Sequence, residues 1–225
     1  LGTDFRIWHE LVEPLHRCGN VLLYDKRGHG LSDVVENTNS LDDYTDDLLA
    51  LLQYLHVSSC TPIGLSVGGI KEKKLMNRIP AIIEKLILCD TRYKIGNEQI
   101  WNERISVVKE KGLGGISDGV MQRWFSEKFR TEEPVKVFGY KNMLERVPVI
   151  GYIKTCEAIR DADLSEIVKQ INKPVLCIVG SEDKSTTPEE VKNLADCIKG
   201  AKYEVIKGSG HIPCVDNPEK LTKLI

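Results

Sequence analysis

The sequence of 225 residues lacks a long apolar run, an export signal at its start and a marked excess of charge of either sign. No apolar stretch approaches the roughly 20 residues that a membrane-spanning helix needs, so we expect no membrane partner. The net charge is -2, and lysines and acids are interspersed along the chain. This balance argues against nucleic acid as a partner, because a nucleic-acid-binding surface needs a basic patch.

The seven cysteines lack the spacing of a disulfide framework or of a zinc site. No C-x-x-C pair is present, and Cys89 and Cys177 lie within apolar segments. These features predict buried free thiols in a reducing cytoplasm. The sequence also contains no dinucleotide-binding fingerprint, Walker loop or metal-ligand pattern, so we expect no cofactor and no metal.

What the chain does contain is a serine flanked by glycines in residues 61–70, Thr-Pro-Ile-Gly-Leu-Ser-Val-Gly-Gly-Ile. Ser66 lies between Gly64 and Gly68, where a predicted strand passes into a predicted helix. A serine on such a tight turn has a strained backbone, and small neighbours are needed where the chain nearly touches itself. The pattern predicts a nucleophile elbow, with an ordinary glycine and serine turn as the alternative because the motif alone is weak.

Strand-like and helix-like segments alternate along most of the chain. Strands are predicted at residues 21–24, near residue 63, and at residues 85–90, 173–180 and 202–206; helices are predicted at residues 6–16, 41–57 and 67–78 and after residues 187 and 217. This alternation predicts an α/β fold with a mostly parallel sheet and helices on both faces.

Residues 92–163 interrupt the alternation, because they show helical periodicity only, in segments at 99–111, 118–129, 134–146 and 149–160. A helical insert between two strands predicts a cap over the ends of the sheet. The core would then comprise residues 1–91 and 164–225. A plain helical excursion packed on one side of the core is the alternative.

Two further polar residues each follow a predicted strand. Asp183 comes after the strand at 173–180, and His211 comes after the strand at 202–206. Because the carboxyl ends of parallel strands emerge at one edge of a sheet, both can meet Ser66 there. The sequence therefore predicts a Ser-His-Asp triad.

The chain contains other acids and histidines near predicted strand ends and helices. Glu182 and Asp90 are alternative acids, and Asp183 is preferred for its shorter side chain and its turn-forming surroundings. His29 lies in a glycine loop and is expected to tie that loop. The remaining histidines fall on predicted helices and are expected at the surface or at helix ends: His9, His16 and His56.

The expected chemistry is acyl transfer. His211 would take the proton of Ser66 as the serine attacks an ester-type carbonyl, and Asp183 would orient the imidazole. The oxyanion needs prearranged donors, each contributing on the order of 3 kcal/mol. The amide of Val67 at the helix start is one candidate, and Leu1 in the first loop, Leu1-Gly2, is the other.

Several stretches carry a more specific resemblance: residues 1–4, 25–32, 64–69, 89–91, 94–96, 101–105, 122–125, 156–164 and 208–215, together with Trp8. They resemble the 3-oxoadipate enol-lactonases of the α/β-hydrolase superfamily over nearly the whole chain. The elbow and the Arg-Gly-His-Gly loop at 27–30 identify only the superfamily. The matches within the predicted cap carry the substrate assignment.

The resemblance implies hydrolysis of a small five-membered enol-lactone with a carboxylate side chain to 3-oxoadipate, in the bacterial degradation of aromatic compounds. A cation is expected near the substrate's carboxylate, and Arg123, Arg92 and Arg160 are unranked candidates. Trp124 is expected to line the pocket, with a core aromatic between cap helices as the alternative. Assembly of identical subunits stays open.

The chain departs from the family pattern at several positions. Lys71-Glu72-Lys73-Lys74 places four charges in a helix that is expected to be buried, and Pro62 lies in a predicted strand, where it removes a ladder hydrogen bond. Lys26 and Asp216 are milder departures and are expected to be solvated. Relatives carry three strands before the position of Leu1, so we expect the functional protein to have additional N-terminal residues.

Two other functions remain compatible with the pattern. A general carboxylesterase or perhydrolase would use the same triad on simpler esters. A non-catalytic binding protein could keep the fold alone, although the presence of Ser66, Asp183 and His211 argues against it.

Overall fold

The computed structural model describes residues 1–35, 37 and 40–225. Its centre is a parallel sheet with four strands among these residues, in the spatial order in which they occur along the chain. The strands are β1 (Ile63–Leu65), β2 (Leu86–Cys89), β3 (Val175–Gly180) and β4 (Lys202–Ile206). All four therefore end at the same edge of the sheet. The sequences of β2 and β3 are almost entirely apolar, which is typical of strands covered on both faces.

Helices precede, connect and follow the strands, with short 3₁₀ helices at Phe5–Trp8 and Pro80–Ile82. They are α1 (His9–His16), α2 (Leu41–Tyr54), α3 (Val67–Arg78), α4 (Glu98–Lys111), α5 (Gly114–Trp124), α6 (Glu127–Glu132), α7 (Pro134–Glu145), α8 (Val149–Arg160), α9 (Ser165–Lys169), α10 (Pro188–Asp196), α11 (Pro213–Asp216) and α12 (Pro218–Leu224). No helix in the described part of the chain combines the length and apolar character needed to cross a membrane.

Alternate residues of the strands face two separate apolar clusters. Ile87 and Cys89 of β2 belong to a cluster that includes residues of α1, α12 and the segment from α4 to α8. Leu86 and Leu88 belong to a second cluster with residues of α2, α3 and α10. The sheet is thus covered on both faces, as the run of apolar residues in its central strands predicts.

Several predicted helices form where their local signals place them. Helix α3 spans Val67–Arg78 and α8 spans Val149–Arg160, both as predicted. Thr187 caps α10 by a capping box with Glu190. The predicted helix at 118–129 is instead two helices, because the chain turns after Trp124 and Ser126 caps a new helix by accepting from the Phe129 amide.

The prediction of a strand at residues 21–24 is wrong. This segment has no ladder partner among the described residues, and β1 pairs with β2 alone. Without a neighbouring strand, its apolar side chains cannot by themselves create a strand, because the ladder requires a second backbone. Pro62 also differs from expectation: it precedes β1, and its carbonyl accepts a hydrogen bond from the Ile87 amide at 3.0 Å.

The charged run in α3 is buried as the family pattern predicts for this helix. Lys71, Glu72 and Lys73 are all less than a tenth exposed, and Lys73 is fully buried. Lys71 pairs with Glu72 at 3.7 Å, and the half-buried Lys74 pairs with Asp42 at 2.8 Å.

Candidate active site

Ser66 lies at the step from β1 to α3, with an unusual backbone conformation. Its φ of 54° and ψ of -116° place it in a region that residues other than glycine rarely adopt. Its amide donates to the carbonyl of Cys89 at 2.9 Å, and its carbonyl accepts from Thr91 Oγ1 at 2.7 Å. These two bonds to the neighbouring strand and its following loop hold the strained residue, as expected for an elbow. The nucleophilic role of Ser66 stays a prediction.

The glycines around Ser66 differ in how much space a side chain would have at each position. A Cβ on Gly64 would lie 2.6 Å from the backbone nitrogen of Gly69, and a Cβ on Gly69 would lie 2.6 Å from Thr91 Cγ2. A Cβ on Gly68 would meet nothing within 4 Å. The expectation that Gly68 is needed where the chain nearly touches itself is therefore wrong. In the first turn of α3, Gly69 is the glycine that packs closely, against Thr91 after β2.

Asp183 and His211 are joined at the ends of neighbouring parallel strands. Asp183 follows β3, His211 follows β4, and His211 Nδ1 lies 2.8 Å from Asp183 Oδ2. Asp183 also accepts from the amide of Ser185 at 2.7 Å and from the hydroxyl of Thr186 at 2.7 Å. Burial opposes ionisation of Asp183, but the charge and hydrogen bond of His211, with the other donors, outweigh it and hold its pKa below the usual range.

The two alternative acids occupy different environments. Glu182 is exposed and, among the described residues, does not bond His211. Asp90 is fully buried at the end of β2, where its Oδ1 accepts from the Gly180 amide at 2.9 Å. Side-chain atoms of Asp90, Asp183 and His211 lie within 4.8 Å of one another. The geometry favours Asp183 as the partner of His211 and places Asp90 beside the pair.

The turn between α5 and α6 is bonded to the loop that carries His211. The His211 amide donates to the Trp124 carbonyl at 2.8 Å. A Cβ on Gly210 would lie 2.5 Å from that same carbonyl oxygen, so the two backbones are in direct contact. Asp216 accepts from the Gly210 amide at 2.6 Å and from the Ser209 hydroxyl. The helical insert and the His211 loop are therefore joined through backbone.

The expectation that Asp216 and Lys26 are solvated is wrong. Asp216 is largely enclosed by the His211 loop, and burial raises its pKa to about 6 although its hydrogen bonds with Ser209 and Gly210 oppose the rise. Lys26 is half-buried, and burial lowers its pKa to about 7 against the opposing charges of Asp25 and Asp4. Lys26 lies in the loop that contains His29, and Asp216 is the last residue of α11, shortly after His211.

Candidate oxyanion donors lie at the start of α3 and in the first loop. Val67 is the first residue of α3, where backbone amides have no partner within the helix. In the loop, the Gly2 amide already donates to Nε2 of the fully buried His29 at 3.1 Å. Burial, followed by the charge of Lys26, holds the pKa of His29 well below its usual value, so its neutral ring accepts this bond. The nitrogen of Leu1 thus stays the candidate oxyanion donor of this loop. His29 holds the loop in place through its bond with Gly2.

The arginines near the helical insert separate into paired and unpaired groups. Arg92 pairs with Glu190, and Arg160 bonds Asp161 at 2.7 Å. Arg123 is half-buried, and burial followed by the charge of Arg104 lowers its pKa. Neither Arg123 nor Arg104 has an ion pair with a carboxylate in the part of the chain that the structure describes. Two neighbouring guanidinium groups without such a partner can bind an anion.

Arg104 was missed as a site candidate at the level of sequence. It lies on α4, with its guanidinium carbon 5.1 Å from the centroid of the Trp101 ring. The available signal was its place in residues 101–105, one of the stretches with the family resemblance. Trp124 is buried within the apolar cluster that α5 shares with α8 and the sheet.

Comparison with known proteins identifies the family of the chain. The family model described as "Serine aminopeptidase, S33" matches residues 2–217. Two 3-oxoadipate enol-lactonases of Acinetobacter baylyi are 32% and 33% identical, over 97% and 100% of this chain and 82% and 84% of their own lengths. The crystal structure of an enol-lactonase from Burkholderia xenovorans LB400 superposes with a TM-score of 0.96 at 33% identity, over 99% of this chain and 85% of that one.

The chain belongs to the 3-oxoadipate enol-lactonase family. Its fold is accordingly the α/β-hydrolase fold, as the alternation of strands and helices predicts. Membership of this family makes the protein a hydrolase, and the enol-lactonase relatives support an ester hydrolase. The strained serine and the joined Asp183 and His211 lie at the strand ends of that fold.

Proposed function

We propose that this family member opens the ring of 3-oxoadipate enol-lactone to give 3-oxoadipate, through a Ser66, His211 and Asp183 triad and an acyl-enzyme. The observation that carries the proposal is the bond of 2.8 Å between His211 Nδ1 and Asp183 Oδ2, at the sheet edge where Ser66 also lies. A carboxylate in this position selects the imidazole tautomer with a free Nε2, which is the tautomer that a general base needs.

In the proposed reaction, Ser66 Oγ forms a bond to the lactone carbonyl carbon while His211 takes the hydroxyl proton. The negative charge on the carbonyl oxygen is stabilised by the amide of Val67 and the nitrogen of Leu1. Collapse breaks the bond between the carbonyl carbon and the ring oxygen, whose electron pair leaves as an enolate. His211 returns its proton to the enolate oxygen, and the resulting enol tautomerises to the ketone.

Water then completes the cycle. His211 removes a proton from the water as its oxygen attacks the acyl carbon, and Ser66 leaves with that proton on its hydroxyl. Asp183 stays ionised and stabilises the imidazolium in both halves of the reaction, in agreement with its lowered pKa. These steps use side chains and backbone nitrogens of the protein together with water.

The substrate's carboxylate is proposed to bind Arg123, with Arg104 beside it. Arg92 and Arg160, the other candidates from sequence, are engaged by Glu190 and Asp161. Trp124 would form one wall of the pocket. Residues 92–163 would act as the cap of a core formed by 1–91 and 164–225, with the site between them.

The names of the relatives and the free cysteines support the proposed setting. Both Acinetobacter baylyi relatives are named 3-oxoadipate enol-lactonases, so we place this chain in the bacterial degradation of aromatic compounds. All seven cysteines are free thiols, and Cys89, Cys156, Cys177 and Cys214 are buried, which suits a reducing cytoplasm.

The test follows loss of the enol-lactone's absorbance with the wild type, Ser66→Ala and the control Ser106→Ala, whose exposed serine lies on α4. We expect Ser66→Ala to lose about 10,000-fold or more in kcat and Ser106→Ala to match the wild type. Equal turnover by the wild type and Ser66→Ala would overturn the serine mechanism. Turnover of simple esters but not of the lactone would replace the substrate assignment by that of a general carboxylesterase.

A further inference from the structure

We propose that Asp90 is a positioning residue for His211: it shares a single negative charge with Asp183, and it takes over the orientation of the imidazole when Asp183 is neutralised. The proposal concerns the same site and rests on the proposed function, because it assigns a second acid to the triad's base.

The geometry brings two carboxyl groups to one imidazole. Asp90 follows β2 and Asp183 follows β3, which are paired strands, and both side chains are almost completely buried. An oxygen of each and a ring nitrogen of His211 lie within 4.8 Å of one another. Asp90 has a φ of 47°, so its backbone adopts a costly conformation that directs the residue away from the regular strand.

The hydrogen bonds of the two acids are unequal. Asp183 accepts from two backbone amides, from the Thr186 hydroxyl and from the His211 ring. Asp90 Oδ1 accepts from the Gly180 amide alone, and its buried Oδ2 has no hydrogen-bond partner among the described residues. A buried carboxylate oxygen without a donor is costly, whereas a protonated oxygen there is a donor that faces a neighbouring anion.

Electrostatics assigns the shared proton to Asp90. Burial first, and then the charge of Asp183, raise the pKa of Asp90 well above its usual value, and Asp216 adds to the rise. The thiols of Cys89 and Cys214 also face this group and remain protonated, because burial raises their pKa values. Two carboxyl groups this close ionise one at a time, and the one with more hydrogen-bond donors, Asp183, ionises first.

Neutralising Asp183 would move this charge. In Asp183→Asn, Asp90 no longer faces an anion, so it can lose its proton and become the counter-charge for the His211 imidazolium. The expected loss in kcat/KM for Asp183→Asn is then about 10- to 100-fold, instead of the roughly 10,000-fold typical when a triad acid is lost without replacement. Asp90→Asn alone should lower kcat/KM by about 3- to 10-fold, because the amide oxygen can still accept from Gly180 while the proton shared with Asp183 is lost.

The decisive variant is the double substitution Asp183→Asn with Asp90→Asn. It should fall at least a further 100-fold below Asp183→Asn, a non-additivity that two independent structural effects do not produce. Equal activities of the double variant and Asp183→Asn would overturn the proposal. So would an acid limb of the kcat/KM profile that moves to lower pH by about one unit in Asp90→Asn, since this shift would mean that Asp90 is ionised in the wild type.

A spectroscopic measurement on the wild type needs neither substrate nor a folded double variant. Infrared difference spectra at pH 7 should contain the C=O stretch of one buried protonated carboxylic acid that is absent in Asp90→Asn. Absence of that band in the wild type would overturn the proposal whatever the substrate proves to be. If the band is present but the wild type does not hydrolyse the lactone, the proposed function is contradicted, whereas the inference about the protonation of Asp90 is supported.

Discussion

At the scale of single residues, Arg123 and Arg104 of the proposed carboxylate site differ from the other candidate arginines because neither has an ion pair with a carboxylate among the described residues. Arg92 pairs with Glu190, and Arg160 pairs with Asp161. Arg123 is half-buried, close enough to Arg104 for the charge of one to lower the pKa of the other. Keeping two like charges together costs free energy, and a bound carboxylate would offset that cost.

We expect Arg123→Met and Arg104→Met each to raise the KM for the enol-lactone about 10- to 100-fold, because a charge-assisted hydrogen bond contributes roughly 1.5–3 kcal/mol. The same variants should hydrolyse an uncharged ester with kinetics close to those of the wild type. Arg146→Met, which removes an exposed arginine after α7, is the matched control. Equal effects on charged and uncharged substrates would instead indicate general damage to the cap.

The sequence predicts those candidate site residues that have a local sequence signal, but not those whose roles depend on contacts made after folding. Ser66, Asp183 and His211 can be proposed from sequence because each has a local signal, a glycine-flanked turn or a position after a strand. Arg104 and the role of Asp90 depend on which side chains meet after folding, and no local pattern specifies that. Asp216 was assigned to solvent since an acid is usually exposed, whereas its contacts with Ser209 and Gly210 enclose it.

At the scale of elements, the step from β1 to α3 shows how local sequence and close packing combine. The elbow predicts a helix at 67–78, and the structure confirms these limits. The elbow pattern does not specify which of its glycines packs against the sheet. Gly64 and Gly69 are in close contact, while Gly68 faces open space.

Alanine substitutions at these glycines should therefore have opposite effects. Gly64→Ala places a methyl group 2.6 Å from the Gly69 nitrogen, which the backbone must move to accommodate, so we expect a loss of about 2 kcal/mol or more in the free energy of unfolding. Gly68→Ala adds a methyl group to a helix without a clash and should stabilise by about 0.5 kcal/mol. Urea denaturation of both variants measures the difference, and a destabilised Gly68→Ala would contradict the assignment.

The unformed strand at residues 21–24 illustrates the limit of element prediction. Its apolar residues have the composition of a strand, but strand formation depends on a partner backbone that lies elsewhere in the sequence. Helices such as α8 make their hydrogen bonds within themselves and are therefore the more predictable elements.

At the scale of the whole molecule, the four strands of the described residues lie in the order in which they occur along the chain, and both faces of the sheet are covered. The second apolar cluster adjoins a buried cation. Lys73 is fully buried and bonds Thr91 Oγ1 at 3.3 Å, with Cys177 and Glu72 close enough to influence it. Burial lowers its pKa from 10.5 to about 7, while the charges of Cys177 and Glu72 oppose the shift.

The stability of the whole protein should therefore rise with pH between about 7 and 10.5 through this residue. In that window the unfolded chain binds a proton at Lys73 that the folded chain releases, so higher pH favours the folded state. Below pH 7 both states are protonated and the burial penalty is present in full. Lys73→Met should raise the free energy of unfolding at pH 6 by on the order of 3 kcal/mol and remove this part of the pH dependence.

Urea denaturation of wild type and variant at pH 6, 8 and 9.5 measures the difference directly, and contributions from Lys26 and Asp216 cancel in the comparison. The matched control is Lys74→Met, which removes a half-buried lysine of the same helix that pairs with Asp42. An unchanged pH slope in Lys73→Met would show that Lys73 keeps its proton in the folded state.

The backbone bond between His211 and the Trp124 carbonyl limits how this protein can diversify. The helical insert is where relatives with different substrates would be expected to vary, yet the turn after Trp124 cannot shift without displacing the proposed general base. New specificities should therefore arise by replacing side chains on α4, α5 and α8 around a stationary turn. A library of variants that changes those side chains and preserves residues 124–126 should change substrate specificity without moving His211. Insertions at the turn should change substrate specificity and the position of His211 together.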